Sequence, residues 1–304
     1  MAPPCRATWA LGLAVAFALA ANGADASPSG PGGFAAGPEP SLPAALLAAL
    51  EAPDPMALAS ATLPRLAELD STQRRAVAER LSRRGLPDRV AAWAFLQVGT
   101  PYRLGPLGEG APPDTDPVIA FGATDCTALN LVSTALAHAR DAGGERAAMA
   151  IANYRGGEIS YATRFHFTTD RLDSCPYFAD ITRRVGRASC RSHIVELNRR
   201  ADGGRWIDID WTRTREVAYV PRAFGSRFAR QFDAGRVPAA MGIAFVKAST
   251  LSNGLDVVHE SLLWRGRTFL HASSRTGRVV TMPWEQFLSG PGRRYDGFVL
   301  FEYR

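Results

Sequence analysis

Lysine is almost absent from this chain of 304 residues: Lys247 stands alone, and every other basic side chain is arginine. The 35 basic residues outnumber the 29 acidic ones to leave a net charge of +6, and the arginines form no dense run interleaved with aromatics. A nucleic-acid partner is therefore not expected. Long apolar runs are missing too. The apolar stretch at residues 9–21 is shorter than the roughly 20 residues that a bilayer core requires, so no integral membrane segment is expected. Cysteine is scarce, at four residues. No G-x-S-x-G elbow and no phosphate-cradling glycine loop is present, which removes serine-hydrolase and nucleotide-binding readings. What is present is ordinary for a globular protein, with 46% hydrophobic and 21% charged residues.

The stretch at 9–21, preceded by Arg6 and followed by Ala24-Asp25-Ala26, has the pattern of a cleavable signal peptide over residues 1–26. The expected destination is the periplasm or cell envelope. Cys5 leaves with the signal, so three cysteines enter an oxidising compartment, and the odd count predicts one pair and one free thiol. Cys175 and Cys190, in polar and turn-rich sequence, are the expected disulfide. Cys126 is left over.

Residues 27–42 are rich in Pro and Gly and read as a flexible leader. Residues 43–98 carry helical spacing (Leu46, Leu47, Leu50; Leu63, Leu66, Leu69; Val77, Leu81; Val90, Trp93, Phe95, Leu96), which predicts an N-terminal helical subdomain with Ser71 or Thr72 as one cap. Residues 99–304 form the remaining domain: a Gly/Pro-rich loop at 103–117, a helix running on from Asp125 to Ala139, and strands towards the C-terminus. Those strands begin near Val257, Thr268, Val279 and Phe298, with turns at Arg265-Gly266 and Thr276-Gly277. Helices first and a sheet afterwards is an α+β layout.

Asp125-Cys126-Thr127 stands just before an apolar helical run, so the Cys126 thiol falls in the first turn, where the helix dipole favours a thiolate. A nucleophilic thiol needs an imidazole to carry its proton and a third group to orient the ring. His259 opens one strand and His271 closes the next, so a hairpin between them sets the two side by side. Asp125 is expected to cap the helix. Glu260 alternates away from His259 and reads as a solvent-face charge. His138 and His193 are expected to take no part. His259-Glu260-Ser261-Leu262-Leu263 begins like a zinc-binding His-Glu-x-x-His and fails at Leu263, so no metal and no cofactor is expected.

These pieces together resemble the NlpC-type superfamily of papain-fold cell-wall cysteine peptidases. Gly99-Thr100-Pro101-Tyr102, Gly105 to Gly110, Tyr154-Arg155-Gly156-Gly157-Glu158, Tyr161 and Arg164-Phe165-His166-Phe167 resemble its N-acetylmuramoyl-L-alanine amidase-like branch over about residues 93–304. The resemblance implies a papain-like fold and cleavage of a peptidoglycan amide, with Cys126 as nucleophile, His259 as base and His271 as its orienting partner. It further implies Tyr102 beside the oxyanion and Arg155, Arg164 and His166 along the substrate groove, with muropeptides as the partner of a monomer. Two departures stand out. The branch carries an acidic residue on the helix where this chain has Leu131, and an apolar residue then Gly after the base, where this chain has Glu260-Ser261. The superfamily more often cuts between γ-D-glutamate and a diamino acid, and a non-catalytic wall-binding module is the alternative of another class.

Overall fold

Residues 42–139 and 144–304 are described in a computed structural model, and all of them fall within one compact unit. The expected signal peptide, with Cys5, and the expected leader up to residue 41 lie outside the described residues. The first helices are α1 (Ala44–Glu51), α2 (Ser71–Leu81) and α3 (Leu86–Phe95). Helix α2 is capped by Asp70 rather than by Ser71 or Thr72: the Asp70 carboxylate accepts from Gln73 N–H at 2.8 Å, and the Gln73 side chain returns the bond to Asp70 N–H at 3.1 Å. Leu63, Leu66 and Leu69 are all buried, but only the short 3₁₀ turn Leu66–Glu68 forms among them. Helix α3 is buried along nearly its whole surface and packs on α4 (Cys126–His138). Further on come α5 (Gly144–Asn153) and α6 (Thr168–Ser174).

The sheet has eight strands: β1 (Phe178–Asp180), β2 (Arg191–Leu197), β3 (Arg213–Pro221), β4 (Ala240–Val246), β5 (His259–Trp264), β6 (Thr268–Ser273), β7 (Arg278–Pro283) and β8 (Gly297–Tyr303). Their order is β2-β3-β8-β4-β5-β6-β7, with β1 on β8, and every pairing is antiparallel. Alternation splits the side chains between two cores. Leu262, Trp264, Leu270, Val299 and Phe301 face α3 and α4, while Phe245, Leu263, Phe269 and Phe298 pack with Trp284 and Phe287 on the other side. The β5–β6 turn is closed by Arg265 and Gly266, both with positive φ. A Cβ on Gly266 would stand 2.5 Å from the Phe228 carbonyl oxygen, so the turn requires glycine twice over.

Half of this sheet is unexpected. Strands β2 and β3 form well before the first strand expected, near Val257, with Trp206, Ile207 and Ile209 in the loop between them. Strand β4 is buried throughout and supplies the central partner of both β5 and β8. The segment at Gly99–Tyr102 runs along the β7 edge, with Gly99 N–H to Val279 O at 2.9 Å and Tyr102 N–H to Gly277 O at 2.8 Å. This brings Tyr102 to the end of the hairpin that carries the histidines.

Candidate active site

Cys126 is the first residue of α4 because Asp125 caps the helix: its carboxylate accepts from Thr127 N–H at 3.0 Å, from Ala128 N–H at 2.8 Å and from Gly105 N–H at 2.9 Å. The same carboxylate thus ties the Gly/Pro-rich loop to the start of the helix. Cys126 N–H has no acceptor among the described residues, as the first helical amide should not. The backbone of Glu260, the second residue of β5, is near enough to the Cys126 thiol to lower its pKa. The thiol is thus one residue away from His259.

His259 begins β5 and His271 lies in β6, on the face opposite α4, as their contacts with Phe245 (5.4 Å) and Phe269 (4.7 Å) show. The hairpin holds His259 Nε2 3.1 Å from His271 Nδ1 with the rings at 86°. His271 is buried and His259 half-buried. The expected pairing of the two imidazoles is therefore formed.

Electrostatics at the thiol differ from the expectation of a stabilised thiolate. Burial, reinforced by the carboxylates of Asp125 and Glu260, pushes the Cys126 thiol up to about 12. The backbone N–H groups at the start of α4 do not outweigh two nearby carboxylates in a desolvated corner. Burial, then His271 and Arg294, holds His259 down at about 3, and burial, then Arg294, holds His271 at about 4. At rest the thiol and both imidazoles are therefore neutral.

Glu260 is not a solvent-face charge. It is 1% exposed, and its carboxylate accepts from Arg171 at 2.6 Å, Thr168 Oγ1 at 2.6 Å, Thr127 Oγ1 at 3.3 Å and Asn130 Nδ2 at 3.5 Å. Alternation does place Glu260 opposite His259, but α4 and α6 cover that face. Asn130 in turn accepts from the Tyr303 hydroxyl at 2.8 Å, which extends the network to β8. Sequence reasoning missed Arg171, Asn130 and Thr168 here; the only signal was an acidic residue on a strand otherwise built for burial.

Burial raises the pKa of the Tyr102 phenol, and the neighbouring Cys126 and Asp125 add to it. The other proposed groove residues have partners of their own. Arg164 is held by Glu109 (2.7 Å at both oxygens) and Asp114 (2.9 and 3.0 Å), and Arg155 by Asp170 (2.7 Å) and Ser174 (2.9 Å). Their guanidinium groups pair with carboxylates of the chain itself. His166 Nε2 is bonded to Tyr161 O at 2.8 Å, and no hydrogen bond or ion pair joins it to Cys126, His259 or His271. The Cys175–Cys190 bridge is absent: all three described cysteines are free thiols, with Cys175 donating to Ile151 O and Cys190 to Thr182 O, each at 3.3 Å. Their thiols point to different carbonyls, which a sequence separation alone does not disclose. His138 stacks on Tyr177 at 3.8 Å and His193 pairs with Val217 on β2–β3, both outside the site.

Among solved structures, the chain is similar to protein LPG0564 of Legionella pneumophila, with 19% identity over 77% of this chain and 94% of that one and a TM-score of 0.61. It is also similar to an N-acetylmuramoyl-L-alanine amidase of Bacteroides uniformis, with 18% identity over 72% and 99% and a TM-score of 0.52. A Bacteroides fragilis protein provisionally described as a xylanase aligns with a TM-score of 0.51 at 20% identity over 69% and 98%. At such identities these neighbours bear on the fold alone. No curated protein matches the chain. The sequence model for the N-acetylmuramoyl-L-alanine amidase-like family matches residues 92–291, which takes in Tyr102, Cys126, both histidines and all the strands but β8, and the chain belongs to that family.

Proposed function

We propose that this chain is an exported, thiol-dependent peptidoglycan hydrolase on a papain-like, NlpC-type frame, with Cys126 as nucleophile, His259 as base and His271 as its orienting group. The scissile bond is the amide between the muramyl lactyl group and L-alanine. One observation carries the reading: the His259–His271 contact of 3.1 Å lies at the start of β5, one residue from Glu260, whose backbone acts on the Cys126 thiol. Family membership supports an amide of peptidoglycan as the substrate. Export rests on the pattern of residues 1–26.

The imidazole pair sets the direction of proton flow. When His259 Nε2–H donates to His271 Nδ1, the Nδ1 lone pair of His259 is left to accept the thiol proton as sulfur attacks the carbonyl carbon. The reverse tautomer would leave His259 without a basic nitrogen for the thiol. The oxyanion then lies near Cys126 N–H, which has no acceptor among the described residues, with the Tyr102 phenol beside it. The imidazolium passes its proton to the departing amine, leaving a thioester on Cys126. Water, deprotonated by His259, releases the acid and restores the thiol.

Incubation of residues 27–304 with a defined muropeptide, followed by mass analysis, tests this reading. Separation into free sugar acid and free stem peptide, abolished by Cys126→Ala, is expected. Cleavage within the peptide would move the bond to the endopeptidase site, and equal turnover by the Cys126→Ala protein would reject the mechanism.

A further inference from the structure

The arginines expected to hold a substrate carboxylate are engaged elsewhere, yet one cation at the site is not. Arg294 ends the 3₁₀ turn Pro291–Arg294, just before β8. It is exposed and has no carboxylate partner among the described residues. Its Nη2 donates to the Tyr295 hydroxyl at 2.6 Å, and its guanidinium carbon lies 4.9 Å from the centre of that ring. Tyr295 is 3% exposed and fixed against Phe245 at 4.6 Å. Its ring runs parallel to that of His259, at 7° and 6.3 Å. A buried aromatic therefore directs this guanidinium alongside the base. Asp125 takes three backbone N–H groups, Glu260 binds Arg171 and its hydroxyl partners, and Asp296 accepts from Ala248 N–H at 2.7 Å, and none of the three forms an ion pair with Arg294.

An unpaired arginine beside two neutral histidines costs the site basicity: its charge lowers both imidazoles. We propose that Arg294 binds a free carboxylate of the substrate peptide and thereby selects acidic stem peptides over amidated ones, a proposal that rests on the amidase reading. In a muropeptide the nearest such group to the L-alanine amide is the carboxylate of the adjoining D-glutamate. Arg presents paired N–H donors to a carboxylate, and the Tyr295 hydroxyl keeps one end of the fork in register.

Two readouts separate this proposal from the reading beneath it. The first compares alkylation of Cys126 by iodoacetate and by iodoacetamide at low salt, followed at that residue by peptide mass so that Cys175 and Cys190 do not contribute. Neutral Arg294→Gln should lower the iodoacetate-to-iodoacetamide rate ratio, and Arg294→Lys should restore part of it. The second compares kcat/KM for a muropeptide bearing D-glutamate and for its amidated counterpart; the preference for the acidic peptide should fall about tenfold in Arg294→Gln. An unchanged alkylation ratio, or an unchanged preference, overturns the proposal. A lowered ratio in a protein that cleaves neither peptide supports the anion site and refutes the amidase.

Discussion

At the scale of residues, burial decides the chemistry. His259 and His271 sit well below the usual histidine value, chiefly through desolvation and then through the charge of Arg294. The unfolded chain takes up protons on these residues near pH 6.5, while the folded chain does so only near 3 to 4. Their contribution to stability is thus complete above pH 6.5 and is lost as pH falls towards the folded values. Asp125 and Asp256, raised by burial, act in the opposite sense, so the histidine effect is read as the difference between wild type and a variant lacking both histidines, over the window from pH 6.5 down to about 4. Urea midpoints should fall over that window, and the double variant His259→Gln/His271→Gln should flatten the slope. A slope that the double variant leaves unaltered would contradict burial of neutral imidazoles. The helix start at Cys126 and the pairing of the two histidines were legible because each depends on local grammar: a capped helix start, and two strand ends joined by a short turn. The fate of Glu260 was not, since alternation tells which face a side chain takes and not what covers it. The ion pairs of Arg155 and Arg164 were not legible for a related reason, their carboxylate partners being non-local or, for Asp170, placed only by folding.

At the scale of elements, Glu260 and Arg171 join β5 to α6, and the Thr127 and Asn130 contacts add α4. Both ions are 1% exposed, so neither is screened by water. Breaking a buried pair from one side leaves an uncompensated charge and costs about 3–5 kcal/mol, whereas replacing both ions by neutral groups of similar size costs much less. Glu260→Gln should therefore lower the melting temperature sharply, and Glu260→Gln/Arg171→Met should recover a large part of the loss. Equal melting temperatures for wild type and the single variant would show that the pair does not hold the strand to the helices. Helix α4 was readable from Asp125 onward, and the β5–β6 turn from Arg265-Gly266. Strand β4 was not readable, because a continuous apolar run of seven residues carries no period to distinguish a central strand from a buried helix.

At the scale of the molecule, the sheet departs from chain order where it matters for the site. Strand β8 returns to lie between β3 and β4 rather than beyond β7, so Arg294 and Tyr295, which precede it, arrive beside His259. Nothing local encodes that return; it follows from Phe298 and Leu300 joining one core while Val299 and Phe301 join the other. The N-terminal helices belong to the same body, since Leu46, Leu58 and Val77 share a core with α4, and Asp54 bonds to Trp264 at 3.0 Å. The three groups of the proposed mechanism thus come from a helix start and one hairpin, with the rest of the fold holding them in place. The most direct test is the intact mass of the protein acid-quenched during turnover of a defined muropeptide. A thioester adduct on Cys126 with the mass of the muramyl acyl group is the expected result. Turnover with no adduct at any time, sustained by Cys126→Ala, would contradict the account.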